Sequence, residues 1–383
     1  MDKPTVQDIF HRFYPAYLDK YSPSPVQAKV AHNIMNCKTG AYGANVCVCE
    51  DCGFVQIHYN SCRNRCCPMC QAVPKEMWMD ARREDVLDAP YFHLVFTVPD
   101  ILNPVIYSNQ RLLYDALYHA ASSTISELTA DPKHLGAKVG YICILHTWGS
   151  EMNFHPHIHT ILLGGGLASN NQWKDNGENF FLPIRVISKV FRGKYLEELK
   201  RLWEEDKLVF HGIAEKFRNH YTFKELLDSC YGMDWIPHCK KTFNGAQTVI
   251  KYLGKYTHRI AVSNHRIVRM DDDTVTFLVK DYRNEGQWKE LTISGVEFVR
   301  RFLMHVPPRR FVRIRHYGLL CSRTKSQKLT LCRNLLGCKK YLSKLRDMEM
   351  PEILEHLYGI KVCVCKACGG HLGKPQMRMP LRC

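Results

Sequence analysis

HPHIHTILLGGG, residues 155–166, sets the architecture of the whole chain. Its alternating pattern reads as a β-strand, and on a strand successive side chains face opposite ways. His157 and His159 therefore share one face, while Ile158 points into a core. Two imidazoles converging from one face are half of a metal site. The third ligand is expected from the preceding strand, GYICILHTW (140–148), which carries His146. The loop between the strands offers Glu151 as the alternative. His146 is preferred, because an antiparallel neighbour would bring it alongside the pair. Gly164, Gly165 and Gly166 read as the end of the strand.

The flanks extend the same pattern. YFHLVFTVP (91–99) is aromatic and β-branched and closes at Pro99, as a buried strand does. LLYDALYHAASSTISELTA (112–130) and SKVFRGKYLEELKRLWEEDKL (188–208) have helical spacing of apolar residues, and VTFLVKDY (275–282) returns to strand. Strands and helices mix without regular βαβ spacing. The expected fold class is α+β, around a mostly antiparallel sheet.

NGAQTVIKYLGKYTHR (244–259) reads as a helix with Gly254 as its weak point. Tyr252 and Tyr256 would lie one turn apart on one face, beside a stripe of Lys251 and Lys255. A tyrosine hydroxyl has a pKa near 10. It becomes a useful nucleophile where a cation stabilises the phenolate or a metal polarises the electrophile. Lysines and a histidine-held cation would supply both. Attack on a phosphodiester would leave a phosphotyrosine ester, which conserves the bond energy and needs no ATP for rejoining.

Of the 18 cysteines many stand in CxxC pairs, which in a reducing compartment read as metal ligands. Cys49-x2-Cys52 and Cys67-x2-Cys70 have zinc-ribbon spacing and are expected to close one tetrahedral site. Cys37, Cys47, His58, Cys62 and Cys66 remain for a second site, or as spares. Near the C-terminus, Cys363, Cys365 and Cys368 sit close to His371 and Cys383. Cys365-x2-Cys368 is half of a knuckle, with no clear second pair.

The net charge is +16 and the pI about 9.1, which points to a polyanionic partner, nucleic acid first. Residues 298–346 hold 14 Lys or Arg and no acidic residue. RRFVRIRHY (309–317) interleaves cations and aromatics, which suits phosphate contacts and base stacking on single strands. Arg309, Arg310, Arg313 and Arg315 are the candidates, with Arg313 and Arg315 expected on one side of a strand. Composition suggests a zinc-binding, DNA-recognising region over 1–88. A catalytic region follows over 89–265, with 167–245 as an insertion, and then a basic DNA-binding region over 266–383. The start of the chain lacks a signal-peptide core, and no apolar run would span a bilayer, so a cytoplasmic protein is expected.

Taken in order, several motifs resemble one family: the rolling-circle insertion-sequence transposases of the HUH (His–hydrophobic–His) superfamily, two-tyrosine branch, with an N-terminal transposase zinc-binding domain. The resemblance rests on SCRNRCCPMCQ (61–71), LVFTVP (94–99), LHTWG (145–149), HPHIHTILLGGG (155–166), YLGKYTHRIAVSN (252–264) and EFVRRFLMHVPPRRFVRIRHYGLL (297–320). It implies an RRM-like antiparallel sheet with a catalytic Mg²⁺ or Mn²⁺ on its face, held by His157 and His159 with His146 as third ligand. It implies Tyr252 and Tyr256 as nucleophiles, with Lys255 beside them, and structural Zn²⁺. The partner would be single-stranded DNA, at transposon ends and target, handled by a nucleoid-associated bacterial protein, with homo-oligomerisation left open. A rolling-circle replication initiator and a non-catalytic zinc-dependent DNA-binding regulator are the rivals. No GxxxxGK[ST] loop is present for an ATP-driven helicase. Asp271, Asp272 and Asp273 are adjacent, which is the wrong geometry for a carboxylate-triad enzyme.

Overall fold

A computed structural model describes residues 3–177, 182–235, 237–243, 249, 254, 261–281, 286–374 and 376–378. In chain order its strands are β1 (Ala44–Val48), β2 (Val55–Tyr59), β3 (Tyr91–Thr97), β4 (Lys138–Trp148), β5 (Phe154–Leu167), β6 (Trp173–Asp175), β7 (His238–Phe243), β8 (Ile267–Met270), β9 (Thr274–Asp281), β10 (Gln287–Ser294), β11 (Ile314–Gly318) and β12 (Gln376–Arg378). The helices that matter below are α1 (Val6–Leu18), α2 (Pro25–Met35), α3 (Ala72–Arg83), α4 (Asn103–Ser108), α5 (Gln110–Ala130), α6 (Ile184–Glu204), α7 (His220–Gly232) and α8 (Gly295–Met304).

The central sheet runs β11-β4-β5-β3-β7, with β6 added to the far end of β5. Every pairing in it is antiparallel, so the fold class read from the sequence holds. One face is covered by helices. Phe92, Leu94 and Phe96 of β3 join Tyr141, Cys143 and Leu145 of β4 and Ile158 and Leu162 of β5 in a core with α5, α6 and α7. Each large apolar side chain buried there contributes roughly 1.5–3 kcal/mol. The segment 167–245, read from sequence as an insertion, thus supplies much of the layer behind the sheet.

The three glycines do not end β5; the strand continues to Leu167. They are needed for close approach. A Cβ on Gly165 would meet the Trp173 ring and lie 2.8 Å from the Lys174 carbonyl oxygen, and one on Gly166 would collide with the Lys138 carbonyl. Glycine inside a strand here marks neighbours pressed together, not a stop.

A second core crosses the boundaries at 88 and 265. Val6, Ile9, Phe10 and Phe13 of α1 and Val30 and Ile34 of α2 pack with Val275, Phe277 and Val279 of β9 and Phe298, Val299 and Phe302 of α8. α1 is fixed by a capping box, Thr5 with Asp8. Among the described residues no helix is long and apolar enough to cross a membrane.

Candidate active site

The open face of the central sheet carries the histidines. In the β4–β5 ladder His146 stands opposite His157, and Ile144 opposite His159. In an antiparallel pair opposite residues share a face, so register alone brings the three imidazoles together. Their ligand atoms all lie within 4.8 Å of one another, and each side chain is at least nine-tenths buried. Glu151 instead turns towards Lys289, 4.0 Å away.

Hydrogen bonds set the ring orientations. His157 Nδ1–H donates to the His155 carbonyl at 2.7 Å, which leaves Nε2 with a lone pair. His157 Nε2 and His159 Nε2 are 3.1 Å apart. Two nitrogens bound at about 2.1 Å to one ion would be about 3.0–3.4 Å apart, so the pair fits a shared cation. His159 Nδ1 lies 2.9 Å from His93 Nε2. With a cation on Nε2, His159 donates from Nδ1 and His93 accepts. Burial, helped by the nearby His238 and His157, pushes the His93 pKa down to about 3, so it is neutral and able to accept. His93 was missed in the sequence reading of YFHLVFTVP. The pairing with β5 reveals it: His93 lies on the face of β3 that the register turns towards the ligands.

The turn between β4 and β5 is clamped. Three consecutive carbonyls accept from three side chains: Ser150 from Arg266 at 2.6 Å, Glu151 from Arg301 at 3.0 Å, and Met152 from His305 at 3.0 Å. This fixes the hairpin and therefore the alignment of His146 with His157. His146 also stacks on Trp148, with ring centroids 4.6 Å apart.

Tyr252, Lys255 and Tyr256 lie outside the described residues. Two described residues of that stretch, Val249 and Gly254, are helical and buried. Val249 packs with Ile142, Ile144, Ile161 and Leu163, which share the histidine face of the sheet. A Cβ on Gly254 would collide with the Met79 thioether of α3, so the residue read as a helix weak point is a contact point.

The cysteine pairing expected from sequence is corrected. Cys67 and Cys70 converge with Cys37 and Cys62, not with Cys49 and Cys52. Cys62 Sγ and Cys70 Sγ are 3.8 Å apart, and the Asn64 amide donates to Cys62 Sγ at 3.5 Å. Hydrogen bonds from Cys62 and Cys67 hold the Cys70 thiol well below its ordinary pKa, while the Cys62 and Cys67 thiols are pushed up, so of these three Cys70 is the one that holds the negative charge. Cys49 and Cys52 instead meet Cys365 and Cys368. Cys66 joins neither quartet; it is buried in the core with Trp148, where burial raises its thiol pKa. His58 pairs with Gln56 at 2.7 Å. Linear spacing misled because the 53–66 spacer folds as β2 and a loop that separate the two CxxC pairs.

The basic stretch divides too. Arg309 and Arg310 are exposed. Arg313 reaches over the Trp148 ring, 5.6 Å from its centroid, beside the histidines. Arg315 lies on the helical side, 4.0 Å over the Tyr118 ring and paired with Asp115. The two were expected on one side. Arg313 precedes β11, so strand alternation does not govern it. Arg65, Gln71, Arg310 and Arg313 line a cleft of about 430 Å³.

Comparison with known proteins places the chain. A family described as "Putative transposase" matches residues 140–328, and one described as "Transposase zinc-binding domain" matches 9–98. "Putative transposase y4qJ" of Sinorhizobium fredii is 40% identical over 369 residues, 95% of this chain and 93% of the relative. The transposase for insertion sequence element IS801 of Pseudomonas savastanoi pv. phaseolicola is 30% identical over 309 residues, 79% and 72% of the two chains. Among solved structures, the conjugative relaxase TrwC in metal-free complex with oriT DNA aligns over 29% of this chain and 44% of its own, at 16% identity and a TM-score of 0.24. That score is too low to carry an argument.

Proposed function

From the premise that the chain belongs to the insertion-sequence transposase family with an N-terminal transposase zinc-binding domain, we propose that it nicks and rejoins single-stranded DNA through 5′-phosphotyrosine intermediates. The observation that carries this reading is the trio His146, His157 and His159, buried on one sheet face with the His157 and His159 Nε2 atoms 3.1 Å apart.

The three imidazoles would hold a divalent cation. An all-imidazole set favours a first-row transition ion over Mg²⁺, so Mn²⁺ is the better of the two expected ions. When bound, the cation supplies Lewis-acid polarisation of the scissile phosphate and charge stabilisation at the leaving 3′-oxygen. His93 and the His155 carbonyl favour the tautomers in which His159 and His157 would turn an Nε2 lone pair towards the cation. Tyr252 or Tyr256 attacks phosphorus. The new O–P bond replaces the bond to the 3′-oxygen, giving a phosphotyrosine ester and a free 3′-hydroxyl. The second tyrosine serves the second strand transfer, and Lys255 stabilises phenolate. Val249, buried against the same face, supports this placement.

Zn²⁺ belongs to the zinc-binding region, where Cys37, Cys62, Cys67 and Cys70 form a fitting quartet. Arg309 and Arg310, both exposed, would meet DNA phosphates. The test is incubation of single-stranded transposon-end DNA with the protein and Mn²⁺: a covalent protein–DNA adduct supports the reading. Zinc-dependent binding without any adduct would favour a non-catalytic regulator.

A further inference from the structure

CVCEDCG (47–53) and CVCKACG (363–369) are the same motif, C-V-C-x-x-C-G, written twice. Their backbones match. In the first, the Gly53 amide donates to the Cys49 carbonyl at 3.0 Å and the Cys49 amide to the Phe54 carbonyl at 2.9 Å. In the second, the Gly369 amide donates to the Cys365 carbonyl at 3.0 Å and the Cys365 amide to the Gly370 carbonyl at 2.8 Å. Gly53 and Gly369 both adopt left-handed φ, +71° and +77°, which glycine alone accepts freely. Each turn is a knuckle that aims two sulfurs at one point.

The two knuckles face each other. Cys49 Sγ is 3.5 Å from Cys368 Sγ, and Cys52 Sγ is 3.8 Å from Cys365 Sγ. Four thiolates at about 2.3 Å from a tetrahedral zinc would have S···S separations of about 3.8 Å. Amides of Ala367 and Gly370 donate to the Cys365 and Cys368 sulfurs at 3.4 Å, as thiolates in a knuckle require. Beside the sulfurs, the segments are joined by a three-residue β1–β12 pairing, a Cys49–Leu372 bridge with backbone bonds from Glu50 to His371 and from Gly373 to Val48, contacts of His371 with Glu50 and Asp51, and an apolar cluster of Cys47, Cys49, Cys365 and Leu372. A core of that size does not hold a module together without a staple.

We infer that Cys49, Cys52, Cys365 and Cys368 bind a second structural zinc ion, completing a ribbon whose halves lie 313 residues apart between Cys52 and Cys365. The matched zinc-binding region, 9–98, contains one half only. The C-terminal half lies beyond both family matches, and its job is to fasten that segment to the N-terminal module. This inference stands apart from the nicking reading and survives its failure.

The test uses the native full-length protein, a maleimide reagent and mass mapping. Cys52, Cys363 and Cys368 are all exposed by area. With zinc bound, Cys363 is alkylated at once while Cys52 and Cys368 are spared. After EDTA treatment, Cys49, Cys52, Cys365 and Cys368 become reactive together. Metal analysis gives two zinc ions per chain, one per quartet, and one in the Cys365→Ser/Cys368→Ser variant. Alkylation of Cys52 and Cys368 in zinc-loaded protein at the rate of Cys363 would overturn the inference. So would an unchanged zinc content in the variant.

Discussion

The histidine face and the cysteine quartets are both candidate metal sites, but they are built by opposite routes. The histidine trio comes from two adjacent strands whose backbone register aligns His146 with His157, with a clamped turn and a buried layer behind. The ligands are in place because the sheet is. The quartets draw on loops: Cys37 follows α2, Cys62 follows β2, and Cys365 lies far along the chain from Cys49. Local turns and a short strand pairing hold them, with no wide sheet behind. The histidine site is preorganised by the fold, whereas in the cysteine modules the metal must do part of the folding.

The contrast fixes what each substitution should do. Cys67→Ser has the largest expected effect. Structural zinc contributes on the order of 10 kcal/mol to folding of such modules, so the variant should lose one zinc and the N-terminal region should become protease-sensitive. Retained zinc with an intact N-terminal region would remove the contrast. His157→Ala comes next. Loss of several kcal/mol of transition-state stabilisation lowers nicking on the order of 10³-fold, while the thermal midpoint moves by only a few degrees. A collapse of the fold in that variant would show that the sheet does depend on its metal.

The third expectation concerns pH. Burial in the core pushes the His305 pKa down to about 4, against the opposing pull of the bond its ring donates to the Met152 carbonyl. The unfolded chain, with an ordinary histidine pKa near 6.5, binds the proton more readily. The stability from neutral His305 is therefore present above pH 6.5 and is lost as pH falls towards 4, amounting to roughly 3 kcal/mol in full. Thermal melts of wild type and His305→Gln across that window should converge at low pH; a constant gap would contradict the assignment. His93→Phe has the smallest effect. It removes the acceptor behind His159 and should weaken metal affinity by about 10–100-fold, with nicking restored at high Mn²⁺. Metal titration of the nicking rate measures it.

Legibility in the sequence followed the same division. The HxH spacing and the strand before it were enough to expect His146 beside His157, because a hairpin joins residues close in sequence through a fixed register. His93 escaped because its strand reads as plain core; only the pairing with β5 shows that its odd-numbered residues face the ligands. The glycines of β5 looked like a terminator because local propensity knows nothing of Trp173 and Lys138 pressed against them. Cys49 and Cys52 were assigned to the nearest CxxC pair, since linear spacing cannot show a partner brought in by tertiary packing. The signal that could have found it was the repeated CVCxxCG itself. Arg315 was expected on the same side as Arg313, but the Tyr118 ring and Asp115 hold it on the helical side.

The measurement that matters above all others is a denaturing gel of labelled single-stranded transposon-end DNA incubated with the zinc-loaded protein and Mn²⁺. The wild type should give a covalent adduct that disappears without the divalent ion, in His157→Ala, and in the Tyr252→Phe/Tyr256→Phe double variant. An adduct that persists in the double tyrosine variant, or nicking unchanged in His157→Ala, would contradict the account.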